Sequence, residues 1–148
     1  MLAGIMSDPH NLQRFIAAQA GDLEIALEEL RAGSKRSHWM WYIFPQLAGL
    51  GRSSTAKYYG IASLDEACAY LDHPVLGPNL HRCLDALLPW AQRKTAEQIL
   101  GSVDALKLRS CLTLFDVASE NPAFAHGLDA FFSGERDEHT LALLNAQR

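Results

Sequence analysis

The 148-residue chain is 49 % hydrophobic and 20 % charged, with a formal net charge of −4. That balance excludes intrinsic disorder, which needs low hydrophobicity and high net charge, and it argues against a broad basic face for nucleic acid. The length suits one domain around one core, so a flexible leader over residues 1–7 and a single multihelical domain over 8–148 are expected.

The first helix is expected near Pro9, capped by Asp8, with Leu12, Phe15, Ile16 and Gln19 on one stripe. Gln19 on that stripe needs a polar partner. Asp22 is expected to cap a second helix with Leu23, Ala26, Leu27 and Leu30 inward, ended by Gly33. Ser37 suits the start of a short helix stopped by Pro45. Gly49 and Gly51 mark a bend, and Ser53 or Ser54 can cap a helix through Tyr59. Ser63–Glu66 and Thr95–Gln98 read as capping boxes. Between them a longer helix runs from about Leu76 to Pro89. Ser102 is expected to cap a helix to about Ser119, Asn121-Pro122 to open another, and Asp137 to cap the last. No strand, repeat or linker is evident. The fold class is all-α, a compact bundle of about eight short helices.

Three cysteines, Cys68, Cys83 and Cys111, form no Cys-x-x-Cys pair, which points to a reducing compartment. The N-terminus has no signal-peptide pattern. The most apolar stretch, Trp39 to Leu50, is shorter than the ~20 residues of a membrane span. A cytoplasmic protein without membrane or nucleic-acid partners is expected, and the sequence carries no signal of oligomeric state.

Residues 35–59 concentrate the chemistry. Trp39, Trp41, Tyr42, Tyr58 and Tyr59 lie among Lys35, Arg36, His38, Gln46, Arg52 and Ser53. Indole faces beside cations and hydroxyls are what a nucleotide-like ligand needs. Each residue also has a plainer reading: His38 at a helix start, the tryptophans in the core. Ser53-Ser54-Thr55 after Gly49-Leu-Gly51 resembles a small anion-binding turn but is no Walker loop.

Helix 102–119 offers a second wall. At about 100° per residue, Arg109, Asp116, Ser102 and Thr113 share a wet face, and Lys107 lies opposite, near Val103, Cys111, Leu114 and Phe115. Asp104 and Lys107, three apart, can touch. They form either a structural ion pair or the polar end of a pocket. His38 and Asp104 are the acid/base candidates. No metal-ligand spacing occurs, no cofactor is implied, and Cys111 reads as an inert core thiol.

The run Ser-His-Trp-Met-Trp-Tyr-Ile-Phe-Pro-Gln-Leu-Ala-Gly-Leu-Gly-Arg-Ser at 37–53 resembles the signature of the bacterial domain of unknown function 1810 family. Tyr-Gly-Ile at 59–61, His-Pro-Val-Leu-Gly-Pro at 73–78 and Lys-Leu-Arg-Ser at 107–110 resemble it too. The similarity covers about residues 8–146 and implies a mainly helical fold with no established activity. The motif positions it implies are Lys35, Ser37, His38, Trp39, Trp41, Gln46, Gly49, Gly51, Ser53, Tyr59, Asp104, Lys107 and Ser110. Members are often labelled calpastatin, but calpastatins are disordered inhibitors, physically unlike this apolar chain. The order of elements is also similar to helical N-glycosidases acting on ADP-ribose conjugates, although the first motif here lacks their glutamate.

The functional expectation is a pocket for a small phosphorylated or nucleotide-like ligand, of ADP-ribose or NAD-derived kind, with hydrolysis as the reaction if a bond is cleaved. His38, Asp104 and Lys107 are its catalytic candidates. Lys35, Ser37, Trp39, Trp41, Gln46, Arg52, Ser53, Tyr59 and Ser110 are its ligand-binding candidates. The alternative is a non-catalytic protein-interaction or structural module.

Overall fold

The computed structural model describes residues 7–147. The expected leader, apart from Ser7, lies outside the described residues. Asp8 caps a helix start, but from further upstream than expected. Its carboxylate accepts the N–H groups of Leu12 and Gln13 at 2.8 and 2.9 Å, across a turn in which Asn11 takes φ 51°. Helix α1 then runs unbroken over Gln13–Arg31.

The second helix start expected at Asp22 is therefore absent. Asp22 sits mid-helix, and its carboxylate accepts the Tyr42 hydroxyl instead of capping its own chain. Packing overrides the local signal, because Phe15, Ala26, Leu27 and Leu30 along α1 are all fully buried. Gly33 follows at φ 69°. A Cβ there would stand 2.7 Å from Trp90 Cε2, so both the turn and the close approach of the indole require glycine.

The remaining helices are α2 (Met40–Ile43), α3 (Ser54–Tyr59), α4 (Leu64–Asp72), α5 (Leu76–Leu87), α6 (Ala96–Leu100), α7 (Ser102–Ala118), α8 (Ala123–Phe132) and α9 (Glu138–Ala146). A 3-10 turn over Leu88–Trp90 follows α5 at Pro89. Among the described residues there is no strand, only a lone parallel bridge from Leu47 to Ile61. The all-α class expected from the sequence is the fold observed, and no described helix is long and apolar enough to cross a membrane.

Side-chain caps fall largely where the sequence puts them. Ser53, Ser63, Thr95 and Asp137 each accept an N–H from the first turn of the helix they precede. Thr95 and Gln98 complete a reciprocal box. Three expectations differ. Ser37 does not cap α2, whose N-cap is Trp39. Ser102 is the first residue of α7, after Gly101 at φ 90°. At Ser63 only half the box forms, because Glu66 reaches past it to the Ala62 N–H at 3.0 Å and pairs with Arg14.

Helix α7 is the spine. Leu108, Cys111, Leu112, Leu114 and Phe115 are fully buried, against α4, α6, α8 and α9. The wet face assigned to Thr113 is covered. Thr113 is fully buried, donates to the Arg109 carbonyl at 2.8 Å and accepts the Asp137 N–H at 2.9 Å, beneath the start of α9. Val103, expected on the buried side, is exposed. Burial raises the thiol pKa of Cys111 well above its usual value and pushes Cys83 up to about 12, so both are inert in the core.

Candidate functional site

Two acids on one flank of α1 position the aromatic segment. Asp22 and Glu29 are seven residues apart, about two helical turns, and so share an azimuth. Glu29 accepts four hydrogen bonds from the segment that follows α1. They come from the backbone N–H groups of Arg36 and Ser37, at 2.8 and 3.0 Å, the Ser37 hydroxyl at 2.6 Å and the Trp39 indole N–H at 2.9 Å. Burial pushes its carboxyl up, but the bonds from Ser37, Arg36 and Trp39 outweigh this and hold it at about 2. One turn pair earlier, Asp22 takes the Tyr42 hydroxyl. Burial and that carboxylate both raise the Tyr42 phenol above its usual range.

With the segment fixed, Lys35 and α2 face α7. Lys35 Nζ lies 2.9 Å from Asp104 Oδ2, donates to the Ser37 carbonyl at 2.6 Å and sits 5.0 Å from the Trp39 ring centroid. Lys107 Nζ lies 3.4 Å from Asp104 Oδ1 and 4.7 Å from the Trp41 ring centroid. Two ammonium groups thus share one carboxylate, each against an indole. The Asp104–Lys107 contact suggested by the spacing is present, with Lys35 as a third member. The Asp104 and Lys107 side chains are 18 % and 23 % exposed, neither sealed nor fully solvated.

Beside this cluster, Trp41, Phe44, Gln46, Ala56, Tyr59 and Lys107 line a cavity of about 10 Å³. That is the size of one water, well below the several hundred Å³ of a ligand pocket. Gly51 packs so closely on α3 that a Cβ would come within 2.5 Å of Ala56 Cβ, which helps close this end.

The other candidates divide by place. Trp39 is fully buried core, and its polar edge is used by Glu29. Ser37 is half-buried and bonded to the same acid. Gln46 and Tyr59 line the small cavity with Trp41. Tyr59 packs 5.0 Å from the Tyr42 ring. Ser53 is spent on its cap, accepting the Ala56 N–H at 3.0 Å, and Arg52 is exposed. His38 is exposed and is not among the residues lining the cavity; its carbonyl accepts the Tyr42 hydroxyl at 3.2 Å. Ser110 is turned away to α9, donating to Asp137 at 2.8 Å. Asp137 is pushed up by burial but held below the usual carboxylate range by bonds from Thr140 and Ser110.

Sequence reasoning missed Glu29, Asp22 and the Arg14–Glu66 pair. The signal for the two acids was their seven-residue spacing beside the apolar stripe. Arg14 and Glu66 gave none: their helices are far apart in sequence, yet their side chains meet at 2.6 Å and are 6 % and 4 % exposed. Gln19, flagged as needing partners, has them. It donates to the Tyr42 carbonyl at 2.8 Å and the Tyr70 hydroxyl at 3.0 Å, and accepts from Asn79 at 3.0 Å. Among the described residues, no group of three or more His, Cys, Asp or Glu is placed to hold a metal ion.

The matching family is the one described as "Protein of unknown function (DUF1810)", over residues 9–144, and the chain belongs to that family. The crystal structure of the conserved hypothetical protein Rv1873 from Mycobacterium tuberculosis is similar, with 49 % identity and a TM-score of 0.90 over 93 % of this chain and 99 % of that one. No curated protein matches at significant similarity.

Proposed function

We infer that this chain binds a small phosphorylated or nucleotide-like ligand, of ADP-ribose or NAD-derived kind, against Trp41 and Lys107. The observation that carries the reading is the shared carboxylate. Asp104 meets Lys35 at 2.9 Å and Lys107 at 3.4 Å, so the cluster has one cation more than its acid neutralises. The second ammonium already lies over an indole face, where a ligand ring would stack. Gln46 and Tyr59 add hydrogen-bonding groups at the same rim.

The seat is closed by Lys107 itself. Its ion pair is the longer of the two, 3.4 Å against 2.9 Å, and the flexible stem exchanges one anionic partner for another when it swings from Asp104 to a ligand phosphate. Both Asp104 oxygens are engaged and His38 lies outside the cavity lining, so the reading is of binding, without assigned bond cleavage. A thermal-shift series with ADP-ribose, NAD and nucleotides tests it. Ligand at 100 times its dissociation constant adds about 2.7 kcal/mol to stability; Lys107→Met and Trp41→Ala each remove that gain. No ligand-dependent shift in the unaltered protein at millimolar ligand defeats the reading.

The second reading, a non-catalytic interaction or structural module, is favoured by one observation: the water-sized cavity. On that reading the contacts of Lys107 with Asp104 and Trp41 serve the fold, so Lys107→Met lowers stability and no small ligand stabilises the protein.

A further inference from the structure

A concavity far larger than the cavity beside Trp41 and Lys107 is found elsewhere. It lies where the end of α1 meets the last turns of α5 and the 3-10 turn, has a volume of about 500 Å³ and is lined by Arg31, Arg82, Arg93, Trp90, Asp85 and Pro89, with Ala86 between them. That volume is in the range of small-molecule sites. Three arginines face one acid in a chain whose net charge is −4.

These arginines are not used up by the fold. Arg14 is spent on Glu66, and Arg136 on Asp116. Arg109 donates to the Glu135 and Arg136 carbonyls at 3.0 and 2.8 Å. In the concavity, Arg82 has only an exposed contact with Glu24 at 3.5 Å, and Arg31 and Arg93 have no ion pair among the described residues. Arg31 in the last turn of α1 also complements the helix dipole, which accounts for one arginine but not three.

Trp90 gives the concavity a rigid side. Its indole N–H donates to the Leu30 carbonyl at 3.0 Å, and its ring lies against Gly33. The Arg93 guanidinium stacks 4.8 Å from the ring centroid. Stacking orients a guanidinium while leaving its N–H edge free for a bidentate oxyanion. Asp85 can accept from a hydroxyl of the same ligand.

We propose that this concavity is a second binding site, for a small molecule carrying two phosphoryl groups. It is separate from the Trp41–Lys107 seat and stands or falls independently of it. Inorganic pyrophosphate is the probe, read by the indole N–H resonances of the three tryptophans in the full chain at ~0.15 M salt. Trp90 is expected to shift saturably, with half-saturation below about 1 mM, while Trp39 and Trp41 stay still. Replacing Arg82 and Arg93 together by Ala weakens the response at least about tenfold, and an unmoved Trp39 resonance confirms that the variant is folded. The proposal is overturned if Trp90 does not move, or if sulfate at equal ionic strength moves it as far. It is equally overturned if Trp41 responds instead, which would place the anion at the other seat.

Discussion

At the residue scale, Glu29 is the side chain on which the aromatic segment depends. It accepts four hydrogen bonds through one carboxylate, and hydrogen bonds to a charged group contribute about 1.5–3 kcal/mol each. Glu29→Gln replaces an acceptor oxygen with a donor facing donors, so a loss of about 2–3 kcal/mol is expected in urea denaturation. The pH dependence has a fixed sign. Its carboxyl is lowered from 4.5 to about 2 in the fold, so its contribution is complete above 4.5 and is lost as pH falls towards 2. Denaturation midpoints measured across that window should fall less steeply in Glu29→Gln than in the unaltered chain. Gly21 makes the opposite case: it lies inside α1, and a Cβ there meets nothing within 4 Å. Gly21→Ala should stabilise the protein by about 0.5–1 kcal/mol in the same assay.

At the element scale, Arg14 ties α1 to α4 and to the turn between α3 and α4. Its guanidinium donates to Glu66 and to the carbonyls of His10, Asn11, Tyr58 and Gly60. Arg14→Met alone strands a buried carboxylate and should cost about 3–5 kcal/mol. Adding Glu66→Leu should restore only part of this, because the carbonyls stay unpaired; full recovery in a double-mutant cycle would contradict the bridging role. This pair also shows where sequence legibility ends. Caps at Ser53, Thr95 and Asp137 were readable because a capping side chain meets backbone within a few residues. Asp22 has the same local signature, yet it is bonded to Tyr42 inside a continuous helix. Which acids cap and which reach across is decided by tertiary partners, which periodicity does not encode.

At the scale of the whole molecule, the all-α fold was legible, because stripe, cap and stop signals recur through the chain. Of the candidate site, the Asp104–Lys107 pair was legible from helical spacing, and so was its opposition to the 35–59 segment. Lys35 as the third member was not, nor was the split between Trp39 and Trp41: motif residues of one type two positions apart, the first fully buried and the second at a cavity rim beneath Lys107. Burial of this kind depends on the two acids of α1 that set the angle of the segment. On the proposed function, the Trp41–Lys107 contact is a ligand seat occupied by the protein's own ammonium group. A crystal structure with ADP-ribose tests it most directly. The expected result is Lys107 displaced from Asp104 onto a phosphate, with Trp41 against the ligand and Lys35 still on Asp104. A ligand absent from this face at saturating concentration, with Lys107 unmoved over Trp41, would contradict it.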